Sequence, residues 1–182
     1  MDFIPFAEAF RHCPRCGSSS IQRHGHHLRC PDCGHQHYVN PAVAVGGLVV
    51  NPEGEMLFLR RAKDPARGRL GMPGGFIDVG ETAEDALRRE TMEETGLTVR
   101  GPLQFLASFP NQYRFAGIEY GVLDLFFICP VDSFAGAAAR EEVLELVVRH
   151  PEAVDPEEIA FASMRRAVAA WVAGKSPAPP GG

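Results

Sequence analysis

The chain has 182 residues, 45% of them hydrophobic, a formal net charge of −5 and a pI near 5.8. That length holds one ordinary domain and a small module, and that apolar content can bury a core, which excludes a disordered chain. The acidic balance excludes the broad basic footprint of a protein that grips long nucleic acid by its phosphates, no apolar run reaches the length of a bilayer span, and MDFIPFAEAF lacks the cationic start and apolar stretch of a secretory leader.

These exclusions predict a cytoplasmic protein with no membrane partner. Composition divides the chain into a first unit over residues 1–38, a second over 39–174, and a Pro/Gly tail, KSPAPPGG, over 175–182 that is expected to be disordered. The first unit holds four of the five cysteines and six of the seven histidines. Cys13 and Cys16 form one CxxC knuckle, and Cys30 and Cys33 form another after thirteen intervening residues. Four thiolates delivered by two short turns close a tetrahedron about one ion, so a structural Zn²⁺ ribbon is predicted. With no open coordination position the ion would stabilise rather than catalyse, supplying on the order of 10 kcal/mol to a segment too short for a core. His12, His24, His26, His27, His35 and His37 read as loop and strand residues, because the cysteines already complete a site. Cys129, inside LFFIC, reads as a small buried hydrophobe.

The second unit opens with an apolar strand at Ala42–Val50, a turn at NPEGE and a strand MLFLRR. A charged, glycine-bearing loop, KDPARGRLG, leads into MPGGFID, followed by a helix from about Thr82 to Thr95. Further strands are expected near Leu97–Phe109, Tyr120–Cys129 and Val143–Val148, and a last helix from Pro156 to Val172. Strands interspersed with helices predict an α/β fold, a mixed sheet layered between helices.

The middle helix carries the chemistry. Thr82 with Asp85 forms a capping box, and Gly96 stands at the C-cap. Glu84 with Arg88, and Asp85 with Arg89, have the spacing of stabilising pairs. Arg89 can also reach Glu93, but Glu90 and Glu94 have no base three or four residues away and lie one above the other. Like charges so placed repel and push the carboxylate pKa up, and a hard divalent cation, Mg²⁺ or Mn²⁺, would relieve them.

Gly75, five residues, Glu81, seven residues, then Arg89-Glu90-Thr91-Met92-Glu93-Glu94-Thr95-Gly96-Leu97 resembles the Nudix hydrolase signature G-x5-E-x7-R-E-U-x-E-E-x-G-U, U being bulky and apolar. Only Thr91 departs, at a U position. The likeness extends over roughly residues 40–172. It implies a Nudix-type α/β/α sandwich that cleaves a nucleoside diphosphate linked to another group. It further implies Glu90, Glu93 and Glu94 as ligands of Mg²⁺ or Mn²⁺, Arg89 and Glu81 as their orienting network, and Gly74 and Gly75 as backbone able to approach metal or phosphate. Glu90 and Glu93 also stand as candidates to activate water. A glutamate from a later loop is the alternative base, with Glu142 ahead of Glu145 and Glu141. Arg60 and Arg61 end a strand and offer phosphate contact; adjacent strand residues face opposite ways, so at most one of them makes it, and Arg60 is the expected one.

A ribbon ahead of a Nudix domain resembles the NADH pyrophosphatases, whose second signature is S-Q-P-W-P-F-P-x-S. Here Ser108-Phe109-Pro110-Asn111-Gln112-Tyr113-Arg114 keeps the first Ser and a Pro but not the Trp-Pro-Phe-Pro core, and the long segment that precedes the ribbon in those enzymes does not appear. SFPNQY is read as a loop after a strand, with Tyr113 stacking on a base. The expected partner is a small-molecule nucleotide. The alternatives are an NADH or NAD pyrophosphatase (including NAD-capped RNA ends), an ADP-ribose pyrophosphatase, a dinucleoside polyphosphate hydrolase, or a nucleotide-sensing, nucleic-acid-binding regulator. Arg15, Arg23 and Arg29 make the ribbon locally basic. A homodimer is compatible with all of these.

Overall fold

A computed structural model describes residues 3–175. Its contacts divide the chain into two units: the described residues up to Ala42 together with Gln112–Val122, and Val43–Asn111 with the described residues from Leu123 onward. The inclusion of 112–122 in the first unit has no signal in composition.

In the first unit, a short strand β1 (Ile4–Pro5) leads into one turn of helix, α1 (Phe6–Ala9), and a three-stranded antiparallel sheet follows: β2 (Gln22–His24), β3 (His27–Arg29) and β4 (Gln36–Tyr38). The two knuckles are near copies. Gly17 N–H donates to Cys13 O at 2.8 Å and Gly34 N–H to Cys30 O at 3.0 Å, with both glycines left-handed at φ 74° and 71°. β1 runs parallel to Ile118–Glu119, and the Phe6 ring lies 4.9 Å from that of Tyr120.

A mixed sheet is built from β5 (Ala42–Val50), β6 (Met56–Arg61), β7 (Leu70–Gly71), β8 (Gln104–Phe115), β9 (Ile118–Pro130) and β10 (Val143–Arg149). The order β9-β5-β6-β10 is extended by β8 beside β9 and β7 beside β6. β5 and β6 are antiparallel, as are β6 and β10. Val131 N–H donates to Val50 O across the C-terminal ends of β9 and β5, so those two run the same way. Alternation sends Leu48, Met56, Phe58 and Phe126 into one core, and Val49, Leu57 and Phe127 into another. Helix α2 (Ala83–Thr95) closes the second core with Ala86 and Leu87; helix α3 (Ala162–Lys175) closes the first with Ala167, Val168 and Trp171. This is the expected α/β/α sandwich.

Three boundaries differ from expectation. The strand predicted from Leu97 begins at Gln104, because Arg88 donates to Val99 O and Gly101 O and holds that backbone irregular while Leu97 and Val99 stay buried. Ser108–Tyr113 is not a loop; it lies inside the twelve-residue β8. Among the described residues β8 pairs only with β9, and an edge strand tolerates Pro110, which has no N–H to donate. The helix predicted from Pro156 begins at Ala162. Asp155 caps a single 3₁₀ turn at Pro156–Glu158, then Ile159 bridges to Leu70 and Ala160 N–H donates to Leu70 O, which stretches the chain to bury Ile159. Lys175 closes α3, and the rest of the expected tail lies outside the described residues. Among the described residues no helix is long and apolar enough to cross a membrane.

Candidate active site

Residues 73–77 lie along β5, where Gly47 N–H donates to Pro73 O, Val45 N–H to Gly75 O and Ile77 N–H to Val43 O. This brings two glycines to α2. Gly74 sits at φ 148°, and a Cβ there would meet Val45 O at 2.1 Å; its N–H donates to Glu94 Oε2 at 2.9 Å. A Cβ on Gly75 would meet Glu90 Oε1 at 2.4 Å. At Gly74 a side chain would strike the β5 backbone, and at Gly75 it would displace the Glu90 carboxylate. The helix itself is capped as predicted: Thr82 Oγ1 accepts from Asp85 N–H, and Gly96 adopts the left-handed conformation at φ 73°.

Arg89 is the hub. Its guanidinium grips Glu81 through two bonds of 2.9 and 3.0 Å, and reaches Glu90 at 2.7 Å, Glu93 at 3.3 Å and Phe76 O at 3.2 Å. The expectation that Glu90 stands unpaired is corrected here, since a neighbour at i−1, ordinarily on another face, bends back to it. The expected pairs Glu84–Arg88 and Asp85–Arg89 do not form: Arg88 serves backbone carbonyls and Asp85 serves the cap. Thr91, the departure from the signature, is fully buried and donates its hydroxyl to Leu87 O at 2.7 Å. The polar atom at an apolar position is thereby satisfied within the helix.

The electrostatics follow burial. Burial pushes the Glu94 carboxyl up to about 8, with repulsion from Glu90 and Glu142 adding, against the Gly74 N–H and Arg61. Glu90 is raised by burial too, although Arg89 opposes it. Glu81 is lowered by its bond to Arg89, and Arg89 is raised in turn. A buried carboxylate beside a second one, with its charge uncompensated, is the donor set that a hard cation fits. The oxygens are not gathered into one cluster: among the described residues the four cysteines are the only group of three or more possible ligands with atoms within 4.8 Å of one another.

Glu142 arrives from a distant loop. Arg140 N–H donates to Glu94 O and Ala138 N–H to Thr95 O, tying this loop to the last turn of α2. Glu142 itself is left-handed at φ 59°, uncommon for a residue with a side chain, and pairs with Lys63 at 2.5 Å. Glu142, Lys63, Arg61, Met72 and Glu94 line one groove. Arg60 is absent from it; it pairs with Glu145 at 2.8 Å and donates to Gly68 O. Of the two adjacent arginines it is Arg61 that faces the carboxylates, with its guanidinium 5.1 Å from the Phe161 ring centre. The alternation rule says that only one faces them but not which. A wider concavity of about 820 Å³, bordered by Asn51, Gly96, Leu97 and Val131, has Arg100 and Asp132 as its only charged lining and brings no catalytic set together.

In the first unit Cys13 and Cys33 place their sulfurs 3.7 Å apart, as do Cys16 and Cys30. A tetrahedron with metal–sulfur bonds of about 2.3 Å has edges of about 3.8 Å, so one ion fits. Cys129, by contrast, is fully buried and its thiol is pushed up to about 12 by burial, as befits an inert core residue. Tyr113 belongs to the first unit and the box to the second. Phe109, in the same stretch, lies 6.1 Å from Phe126, packs on that core and carries Arg166 at 4.0 Å over its ring.

The family model of the NUDIX domain matches residues 40–172. An ADP-ribose pyrophosphatase of Methanocaldococcus jannaschii is 45% identical over 60 residues, 33% of this chain and 35% of that protein. The NAD-capped RNA hydrolase NudC of Stutzerimonas stutzeri is 35% identical over 99 residues, 54% of this chain and 35% of that protein. The match thus spans about a third of the length of these relatives. The crystal structure of a NUDIX hydrolase from Nitrosomonas europaea superposes with a TM-score of 0.70 at 24% identity, covering 91% of this chain and 92% of that one, a likeness of fold. With a signature intact but for Thr91, the sandwich that the signature implies, and a family match over most of its length, this chain belongs to the Nudix family.

Proposed function

We propose that the protein is a metal-dependent hydrolase of nucleoside diphosphate derivatives, carried by one observation: Glu90 and Glu94 are held, part-buried, against the side-chain-free backbone of Gly74 and Gly75. Glu90, Glu93 and Glu94 would hold Mg²⁺ or Mn²⁺, which when bound neutralises phosphate oxygens and lowers the pKa of a water. Arg89 fixes the directions of Glu90 and Glu93, and Glu81 fixes Arg89. Glu142 is the exposed carboxylate on the groove and takes the proton from the attacking water, with Lys63 holding it in place. Arg61 supplies positive charge to a phosphate entering the groove, a role that the sequence alone had given to Arg60. Cys13, Cys16, Cys30 and Cys33 hold Zn²⁺ and keep the first unit folded.

For the substrate we infer adenosine diphosphate joined to ribose, the part common to ADP-ribose and to NAD, because the similar proteins above act on one or the other. Incubation with Mg²⁺ or Mn²⁺ and ADP-ribose, NADH, NAD-capped RNA and a dinucleoside polyphosphate, with both products identified, tests this. Cleavage of the first three between the two phosphates is the expected result. Cleavage of the polyphosphate alone would overturn the substrate, and tight binding with no turnover would support a sensor instead.

A further inference from the structure

The ribbon sheet presents a face that metal binding does not explain. Its register sets three residues in each of three rows: Gln22–Arg29–Gln36, Arg23–Leu28–His37 and His24–His27–Tyr38. Alternation turns the middle row to one side and the other two rows to the opposite side. The middle row turns inward at Leu28 and His37, while Arg23 stays exposed at its end. Leu28 is 3% exposed, Arg23 donates to Phe10 O, and the His37 and Phe10 rings lie 5.2 Å apart.

The outer side therefore carries one arginine, two glutamines, two histidines and a tyrosine, with no acid among them. His27 and Tyr38 stack, ring centres 4.6 Å apart and planes 24° apart, and His27 Nε2 meets Gln36 Oε1 at 3.0 Å. Yet Tyr38 remains 56% exposed. A solvated face accounts for the arginine but not for an exposed tyrosine stacked on a half-buried histidine. The charge is segregated as well. Residues 9–31 hold four arginines and no acid in a chain of net charge −5, and among the described residues Arg11, Arg15 and Arg29 form no ion pair.

We propose that this outer face binds single-stranded RNA, with one base stacked on Tyr38 and His27 and a phosphate on Arg29. Stacking needs a base whose face is free, which a duplex does not offer, and phosphates need a surface clear of carboxylates. Gln22 and Gln36 flank Arg29, and each amide can both donate and accept, matching a 2′-hydroxyl that does both. The inference deepens the hydrolase reading and rests on it in taking RNA as a carrier of the cleaved linkage, but the face is testable without cleavage.

The test is fluorescence anisotropy on the full chain with a 3′-labelled, 5′-hydroxyl RNA oligomer, which has no diphosphate to cleave, and no added magnesium or manganese. Tyr38→Ala should weaken binding about tenfold, while Tyr38→Phe should keep most of it. Arg29→Gln should lower the slope of log affinity against log salt by about 0.7. All three variants should hydrolyse a small nucleoside diphosphate derivative at the parent rate and retain their zinc. Unchanged binding in Tyr38→Ala, or equal affinity for DNA of the same sequence, would overturn the proposal. So would a loss that Tyr38→Phe shares together with lost zinc. RNA binding intact in a protein that cleaves no nucleotide would support the face and sink the hydrolase reading instead.

Discussion

The two units position their candidate metal ligands in opposite ways. In the first, the ligands come from two short turns that are near copies, and the sulfurs already stand at tetrahedral spacing. In the second, the three candidate carboxylates and the Arg89 that grips two of them come from one helix, but further restraints come from elsewhere: the Gly74 amide, the Glu81 side chain and the loop bearing Glu142. A site made of local turns is specified by spacing alone. A site made by tertiary restraint is specified only where the rest of the fold agrees.

The largest effect that would break this contrast lies in the first unit. Cys30→Ser should cost that unit a binding free energy on the order of 10 kcal/mol, unfolding it while the second unit melts nearly as before. Elemental analysis should find about one zinc per chain in the parent and none in the variant. A shared melting shift in both units would mean that the turns depend on the sandwich after all.

Next comes Glu94→Gln, which should lower turnover on the order of 10³-fold, about 4 kcal/mol of transition-state stabilisation, with the fold intact. The Gly74 N–H keeps an acceptor in the glutamine oxygen, so the carboxylate charge alone is removed. Parent-like turnover would sink the metal-ligand role.

The smallest effect sharpens the comparison by pH. Folding raises Glu94 from the ordinary 4.5 to about 8, so between those values the folded state binds more protons than the unfolded one. Stability from this group is complete below about pH 4.5 and is lost as pH rises through 8. Protein free of magnesium and manganese should therefore weaken across that window, by at most about 1.4 kcal/mol per pH unit. Glu94→Gln should flatten the decline. What slope remains belongs to Glu90 and to Asp124, the latter raised by burial beside Ser163. Urea melts at several pH values measure both, and a parent curve flat from pH 5 to 8 would contradict the burial of an uncompensated carboxylate.

This contrast also explains what the sequence made legible. The knuckles, the box and its cap were readable because each is a short-range pattern, and β5, β6, β9, β10 and α2 because their apolar periods are long and regular. Arg89 gripping Glu90 was not, since it breaks the spacing rule for helix neighbours. Neither was the choice of Arg61 over Arg60, which depends on which side of β6 faces α2. Pro110 read as a loop marker because sequence does not say which strand will be an edge.

The first unit closes on residues 112–122, and that has a consequence in time. A ribosome adding about 5 to 20 residues per second makes Val122 roughly 4 to 16 s after Ala42. Throughout that interval both knuckles are already synthesised and can close on an ion, while the partner strand of β1 does not yet exist. An ion held by the four cysteines would thus be within reach of the nascent chain, whereas the docking of Ile4 and Pro5 waits for the hairpin.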